Sequence, residues 1–369
     1  CIDWIAMQSW CNGRVGMQGS SFLGFTQLCA ARTKPVALKC IMPTAFIGNR
    51  IQCFPYANGI PMRTQYLQWC SVADAESMAD LDMPYGDMRI AEHDTWGPAL
   101  RHRPLIEAAD ELLTDDKLQL WQDNWSHPYD DEYWAPIHFT DIQLMDLDIP
   151  IFFTDGWYDL TIGPIDYFSR LEKAQAKKER WLLVGPWNHY QTYSQRLHCV
   201  GNGERKMPAN ASFDLIAQRL LFFDRFLKGD KSIKYGDIQK DRVKVYITGA
   251  NIWKDAPTFP IPDTKILSLY LHSQADAHDF PQGGILSTAP PLSEPEDVYI
   301  YDPTLPPFYQ PLAFQDNREL EIRADVLTYT SSPLTHPTTI LGEITLRLYA
   351  ATDGSDTDWF ALVTEVFPD

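Results

Sequence analysis

The sequence predicts an α/β protein: a parallel sheet covered by helices, interrupted by a helical insertion and followed by a separate all-β domain. Three observations predict it. Up to Gly229, short apolar runs that end in glycine and a polar residue alternate with helical segments. Between about Gly48 and Tyr133 the pattern changes to Met, Trp, Asp and Leu at helical spacing. Past Gly229 the runs become alternating or β-rich, with Pro- and Gly-rich turns between them. Strands alternating with helices imply parallel pairing, and closely spaced β-rich runs imply a sandwich or jelly roll.

Each element has its own signal. "CIDWIAMQ" (1–8) reads as the tail of an amphipathic helix, "RVGMQ" (14–18) as a short buried strand and "FLGFTQLCAA" (22–31) as a helix. "VALKCIMP" (36–43) is a second strand, closed by Pro43. In the insertion, "PLIEAADELL" (104–113) and "TDDKLQLWQ" (114–122) read as helices, the latter with Thr114 as cap. "DIPIFFTDGWYD" (148–159) and "RWLLVGPWNH" (180–189) are strands of one design. The helix between them, 164–178, opens on Pro164, and the next, 212–229, ends at a glycine. The β domain is read from 243–249, 265–273, 297–303, 324–334 and 343–351. The expected division is a core of 1–47 and 141–236, a helical cap of 48–140 and a jelly roll of 237–369. The chain opens on Cys1, not Met, and its last residues, "VTEVFPD", resemble a strand entering a turn, so both ends are expected to be incomplete.

Composition narrows the function. Hydrophobic residues make up 45% and charged residues 22%, with 12 Trp, 17 Tyr and 18 Phe, a globular composition rich in aromatics. A net charge of −18 argues against nucleic acid, which calls for basic stripes. No run of about 18 apolar residues is present, so no spanning helix or membrane partner is expected. Between Ser71 and Glu132 lie 16 acids and 4 bases, read as a solvated face, the sharper alternative being a field for cationic substrates. The seven cysteines have no zinc-like spacing and read as buried thiols. His93, His102 and the other histidines lack metal spacing. Asp356 and Asp358 in "GSDTDW" read as a turn, and "SHPYDDEYW" (126–134) as a hinge. No metal or cofactor is called for. The compartment and a homo-oligomeric state are left open.

In an α/β sheet, ligands bind beyond the carboxyl ends of the strands. Three such ends carry Ser21, Asp159 and His189, and Ser, acid, His is the chain order of the α/β-hydrolase triad. A serine hydroxyl needs an imidazole to take its proton, and the imidazole needs a carboxylate to hold its tautomer. The elbow motif G-x-S-x-G is displaced here, since Leu23 occupies the second glycine position and Gly24 follows it. Gly19 admits the close backbone approach and Gly24 the helix packing, which favours Ser21 as nucleophile and leaves Ser20 as a turn residue. The backbone N–H of Phe22, at a helix N-terminus, is the expected oxyanion donor.

The blocks "WCNGRVGMQGSSFLGFTQ" (10–27), "GWYD" (156–159) and "GPWNH" (185–189) resemble the CocE/NonD hydrolases, the family of cocaine esterase, X-Pro dipeptidyl-peptidases and α-amino-acid ester hydrolases. "FFDRFLKG" (222–229), "DVLTYTSSPL" (325–334) and "GSDTDWFALVTEVFPD" (354–369) extend the resemblance along the chain. It implies Ser21 as nucleophile, Asp159 as acid and His189 as base, with the displaced glycine as the family's ordinary form. It also implies a second oxyanion donor, a tyrosine hydroxyl upstream of Cys1, and a jelly roll that continues past Asp369. Without those pieces the chain is expected to be unstable or inactive. The α-amino-acid ester hydrolases hold an ammonium group with acids after the triad aspartate and after the second strand. The matching positions here, Leu160, Thr161, Ile162 and "TAFIGNR" (44–50), carry none. The expected substrate is therefore a small neutral acyl ester or activated amide, with Trp157, Tyr158 and Trp187 as aromatic walls, ordinary core packing being the alternative for each. X-Pro dipeptidyl-peptidase or β-lactam acylase activity is the alternative enzyme reading. A silent member with a binding β domain is the remote one.

Overall fold

The computed structural model describes residues 1–72, 99, 101–113, 115–174, 179–193, 201–202, 205–281, 283–305 and 316–367. They divide into two compact units, one holding Cys1–Phe259 and the other most of Pro260–Asp369.

The first unit is built on a six-stranded sheet whose strands lie side by side in chain order. A short helix α1 (Ile2–Ala6) precedes β1 (Val15–Ser20), α2 (Phe22–Arg32) and β2 (Leu38–Thr44). After the insertion come β3 (Ile151–Tyr158), α6 (Gly163–Lys173) and β4 (Arg180–Asn188). Helix α7 (Leu215–Phe223) leads through a wide turn, Asp224–Lys228, to Gly229 in the left-handed region at φ 75°. Strands β5 (Val243–Ile247) and β6 (Ile252–Ala256) complete the sheet. β1 to β5 are parallel, and β6 returns antiparallel to β5.

Because helices cover both faces, the strands read as continuous apolar runs. Cys40, Met42, Phe152, Trp181 and Leu183 point to one face, where they pack with Leu215 and Phe222 of α7. Ile41, Phe153, Leu182 and Val184 alternate to the other, where Phe153 meets Phe168 of α6 edge to face. The strand at 243–247 was expected to open the β domain. It lies instead beside β4 in the main sheet, because Val243, Val245 and Tyr246 complete the buried layers. The compact units divide at Phe259/Pro260.

The insertion has its own aromatic core, in which Phe54, Tyr56, Tyr66, Trp121, Trp125 and Trp134 pack together. Helices α3 (Arg63–Val72) and α4 (Asp115–Ser126) carry much of it, and α5 (Asp141–Met145) leads back to the sheet through a capping box on Thr140. The helix expected at 104–113 is a 3₁₀ turn at Leu105–Glu107 followed by irregular turns. The Trp121 indole donates to the Leu105 and Ile106 carbonyls, which a continuous α-helix would have used for its own ladder. Thr114 and His93 lie outside the described residues. His102 pairs with Glu107 at the surface, and the hinge segment is tied down by His127–Asp131 and His138–Asp130 contacts.

The second unit is a separate C-terminal β domain. Its sheet has three strands, β7 (Tyr270–His272), β8 (Gly284–Ser287) and β9 (Tyr329–Ser331), with β7 antiparallel and β9 parallel to β8. Asp297 knits it together, accepting from Ser273 Oγ at 2.6 Å and Tyr329 OH at 2.7 Å. The runs at 297–303 and 343–351 have strand composition but form no ladder among the described residues, since composition supplies no hydrogen-bonding neighbour. Asp356 accepts the Thr357 N–H at 2.9 Å just past an exposed bend at 353–355.

Candidate active site

The site lies at the carboxyl ends of β1, β3 and β4. Ser20 ends β1 and Phe22 starts α2, so Ser21 is the whole connection between strand and helix. Turning the chain within one residue puts Ser21 in the left-handed region, at φ 59° and ψ −125°, where a non-glycine residue is strained. Neighbouring backbone holds it there. The Ser21 N–H reaches the Thr44 and Ala45 carbonyls at 3.0 and 3.1 Å, and the Ser21 carbonyl accepts from Gly24 and Phe25. The two flanking glycines are there for space. A Cβ on Gly19 would stand 2.7 Å from Leu23 Cβ, and one on Gly24 would stand 2.7 Å from the Thr44 carbonyl oxygen.

Ser21 Oγ lies 3.1 Å from His189 Nε2, and His189 Nδ1 lies 2.9 and 3.0 Å from the two Asp159 carboxylate oxygens. With Nδ1–H donating to Asp159, Nε2 carries the lone pair that accepts the Ser21 proton. Burial disfavours the imidazolium, but the Asp159 charge and hydrogen bond outweigh it, so His189 titrates above the ordinary imidazole value. The Asp159 side chain has no exposed surface, and Thr161 fastens it with its N–H at 2.8 Å and its hydroxyl at 2.7 Å. The Phe22 N–H, at the first turn of α2, has no intrahelical carbonyl to pair with and faces the end where the macrodipole is positive.

A second acid lies beneath the first. Asp155, on β3, is fully buried; burial and the Asp159 charge push its carboxyl well above the usual carboxylate range. The Cys53 thiol, pushed up to about 12 chiefly by burial, accepts from the Ile162 N–H at 3.3 Å and joins the insertion to the loop after Asp159.

Of the three expected wall aromatics, Trp187 lies in the core. Trp187 is completely buried in the core beneath the sheet, against Phe213 and Trp253, because its ring folds back over Gly185. Tyr158 packs against the same core, and the Trp157 indole donates to the Tyr246 carbonyl at 2.7 Å. Alternation along β4 turns the Trp187 side chain to the covered face, whereas Trp157 and Tyr158 are the last two residues of β3 and are half-buried. The aromatic rings beside His189 are Tyr190 and Tyr193, with ring centroids 6.3 and 5.5 Å away. Ser20, expected as a turn residue, ends β1; its buried hydroxyl donates to the Thr192 carbonyl at 3.0 Å and ties the elbow to the loop after His189. The signal for Thr161 was present in the sequence as D-x-T, an Asx-type turn. Tyr193 had only its position four residues past His189.

The family X-Pro dipeptidyl-peptidase (S15 family) matches residues 1–191, and the X-Pro dipeptidyl-peptidase C-terminal non-catalytic domain matches residues 237–369. The chain is 29% identical to cocaine esterase of Rhodococcus sp. strain MB1 Bresler, over all of this chain and 65% of that protein. Among solved structures it resembles an aminopeptidase from a marine sediment Thaumarchaeota archaeon, with TM-score 0.69 and 22% identity over 90% of this chain and 55% of that one. It resembles equally a selenomethionine-labelled α-amino-acid ester hydrolase, with TM-score 0.69 and 23% identity over 92% of this chain and 56% of the other. These two likenesses speak for the fold. The matched family covers more than half of the sequence, including all three strand ends that carry Ser21, Asp159 and His189, so the chain belongs to the X-Pro dipeptidyl-peptidase S15 family and its CocE/NonD hydrolases.

Proposed function

We propose that the site is that of a serine hydrolase that cleaves an acyl ester, or an activated amide, through an acyl-enzyme. Ser21 Oγ attacks the carbonyl carbon while its proton passes to His189 Nε2. The carbonyl electron pair moves to oxygen, where the Phe22 N–H receives it. As the intermediate collapses, the bond to the leaving group breaks and that group takes the proton from Nε2. Water then repeats the sequence and frees Ser21. Asp159 holds the His189 tautomer and stabilises its cation throughout. One observation carries the reading: an unbroken hydrogen-bonded chain from Asp159 through His189 to a serine held in strain at a strand–helix elbow.

The acyl group is a neutral one. The loop after Asp159 offers no carboxylate to an ammonium group, since Leu160 packs into the insertion's core, the Thr161 hydroxyl is bonded to Asp159, and Ile162 is half exposed. The 29% identity to an esterase supports the same choice. The family description keeps X-Pro dipeptides as the second reading. A fluorophosphonate probe on the full-length protein is expected to label Ser21, and Ser21→Ala in that protein to abolish labelling. A panel of p-nitrophenyl esters set against X-Pro anilides then decides the substrate. Absence of labelling in folded protein rejects the hydrolase, and preference for the anilides rejects the ester.

A further inference from the structure

His189 Nε2 faces two hydroxyls. Ser21 Oγ stands at 3.1 Å and the Tyr193 hydroxyl at 3.4 Å, with the Tyr193 ring edge-on to the imidazole at 84°. A neutral imidazole offers one lone pair at Nε2, so the nearer serine holds it and the tyrosine lies beside the line of proton transfer. Tyr193 is half exposed, so its hydroxyl borders the open side of the site rather than the core.

The loop that carries it is firmly built. Asn188 and Gln191 each donate a backbone N–H to the other's side-chain oxygen, both at 3.0 Å. Thr192 Oγ1 donates to the His189 carbonyl at 2.6 Å, and Ser20 Oγ holds the Thr192 carbonyl from the elbow side. Together these bonds fasten the segment 188–193 to the elbow, and Tyr193 with it. The buried bond from Ser20 in particular references Tyr193 to the strand that ends at the nucleophile.

We propose that Tyr193 is a further catalytic residue, whose hydroxyl donates a hydrogen bond to the leaving-group oxygen as His189 Nε2 protonates it. The proposal rests on the serine-hydrolase reading. In the collapse of the tetrahedral intermediate the carbon–oxygen bond breaks and its electron pair goes to the leaving oxygen. The proton on that oxygen comes from Nε2. Tyr193 keeps its own proton and contributes only the hydrogen bond, so the step balances without a further acid. Its contribution grows with the negative charge that accumulates on the leaving oxygen, and is therefore largest for poor leaving groups.

The test is a leaving-group series on one acyl group, the best found in the p-nitrophenyl panel, with p-nitrophenyl, phenyl and ethyl esters. Replacing Tyr193→Phe is expected to lower kcat/KM about 3-fold on the p-nitrophenyl ester and about 30-fold on the ethyl ester, the scale of one charge-assisted hydrogen bond. A uniform loss across the series, or none on the ethyl ester, overturns the proposal, because a residue that merely positions His189 would slow every ester alike. The parent protein gives an independent reading: its kcat/KM should depend only shallowly on leaving-group pKa, and a steep dependence counts against Tyr193. Ser21 labelling separates the two failures. A labelled Ser21 with a flat series rejects Tyr193 alone, whereas an unlabelled Ser21 rejects the hydrolase.

Discussion

Gly156 connects the acid strand to the histidine strand, and replacing it with alanine tests how tightly the two are coupled. It lies three residues before Asp159 on β3 and opposite Gly185 of β4. A Cβ at Gly156 would press on the Trp187 carbonyl, standing 2.8 Å from its carbon. Ordinary carbon contacts are about 3.5–4.0 Å, so β3 and β4 must separate by roughly 1 Å. No side chain can rotate aside, because the obstacle is backbone within a paired ladder. Overpacking of this kind costs about 1–3 kcal/mol, or a fall in Tm of about 3–10 °C. The displacement falls two residues before His189, whose Nδ1 now sits 2.9 Å from Asp159. A shift of about 1 Å there is expected to cost on the order of 100-fold in kcat/KM. Thermal melts and ester hydrolysis measure the two effects separately. Gly229→Ala is the control, since Gly229 has φ 75° with nothing near its Cβ position and should lose stability alone. Unchanged kcat/KM in Gly156→Ala, with or without a lower Tm, would refute the coupling.

Four further outcomes are expected. Because His189 acts as a base only when neutral and titrates above 6.5, kcat/KM should rise with pH through a midpoint above that value. Asp159→Asn removes the charge that raises it and leaves the burial that lowers it, so the midpoint should fall below 6.5 and kcat should drop about 10⁴-fold; an unmoved midpoint contradicts the assignment. Thr161→Val deletes the hydroxyl bond to Asp159 but keeps the backbone one, and about a 5-fold loss in kcat is expected, with no change in KM. Ser20→Ala leaves the Thr192 carbonyl without its buried donor and should cost about 1–3 kcal/mol in denaturant unfolding while Ser21 still takes the fluorophosphonate label. Loss of labelling in Ser20→Ala but not in Ser21→Ala would exchange the roles of the two serines.

The order of strands and the positions of Ser21, Asp159 and His189 were legible because each depends on local pattern: an apolar run, a glycine, then a polar residue at the strand's end. The burial of Trp187 was not. Trp187 looks like a site residue by its nearness to His189, yet alternation along β4 turns it into the core, and only the sheet's two faces reveal that. Strand 243–247 was misplaced for a related reason. Its alternation is that of any half-buried strand, and what it pairs with depends on the edge that β4 leaves free. Tyr193 and Ser20 were illegible as a pair, since the bond joining their loops spans 172 residues of sequence.

The elbow shows why so much structure surrounds one hydroxyl. Ser21 and Ala45 both occupy the left-handed region, at φ 59° and 43°, and they face each other across the ends of β1 and β2. Conformations of this kind cost about 1–3 kcal/mol each. Each is held from the next strand: the Ser21 N–H by the Thr44 and Ala45 carbonyls, and the Ala45 N–H by the Thr154 carbonyl of β3 at 2.9 Å. The support therefore runs inward, from Ser21 to β2 and from β2 to β3, the strand that Asp159 follows. Parallel strands in chain order make that relay possible, because their carboxyl ends lie in one row. The same row fixes Ser21 against His189, so the backbone that strains Ser21 is also the backbone that aims its hydroxyl at the imidazole.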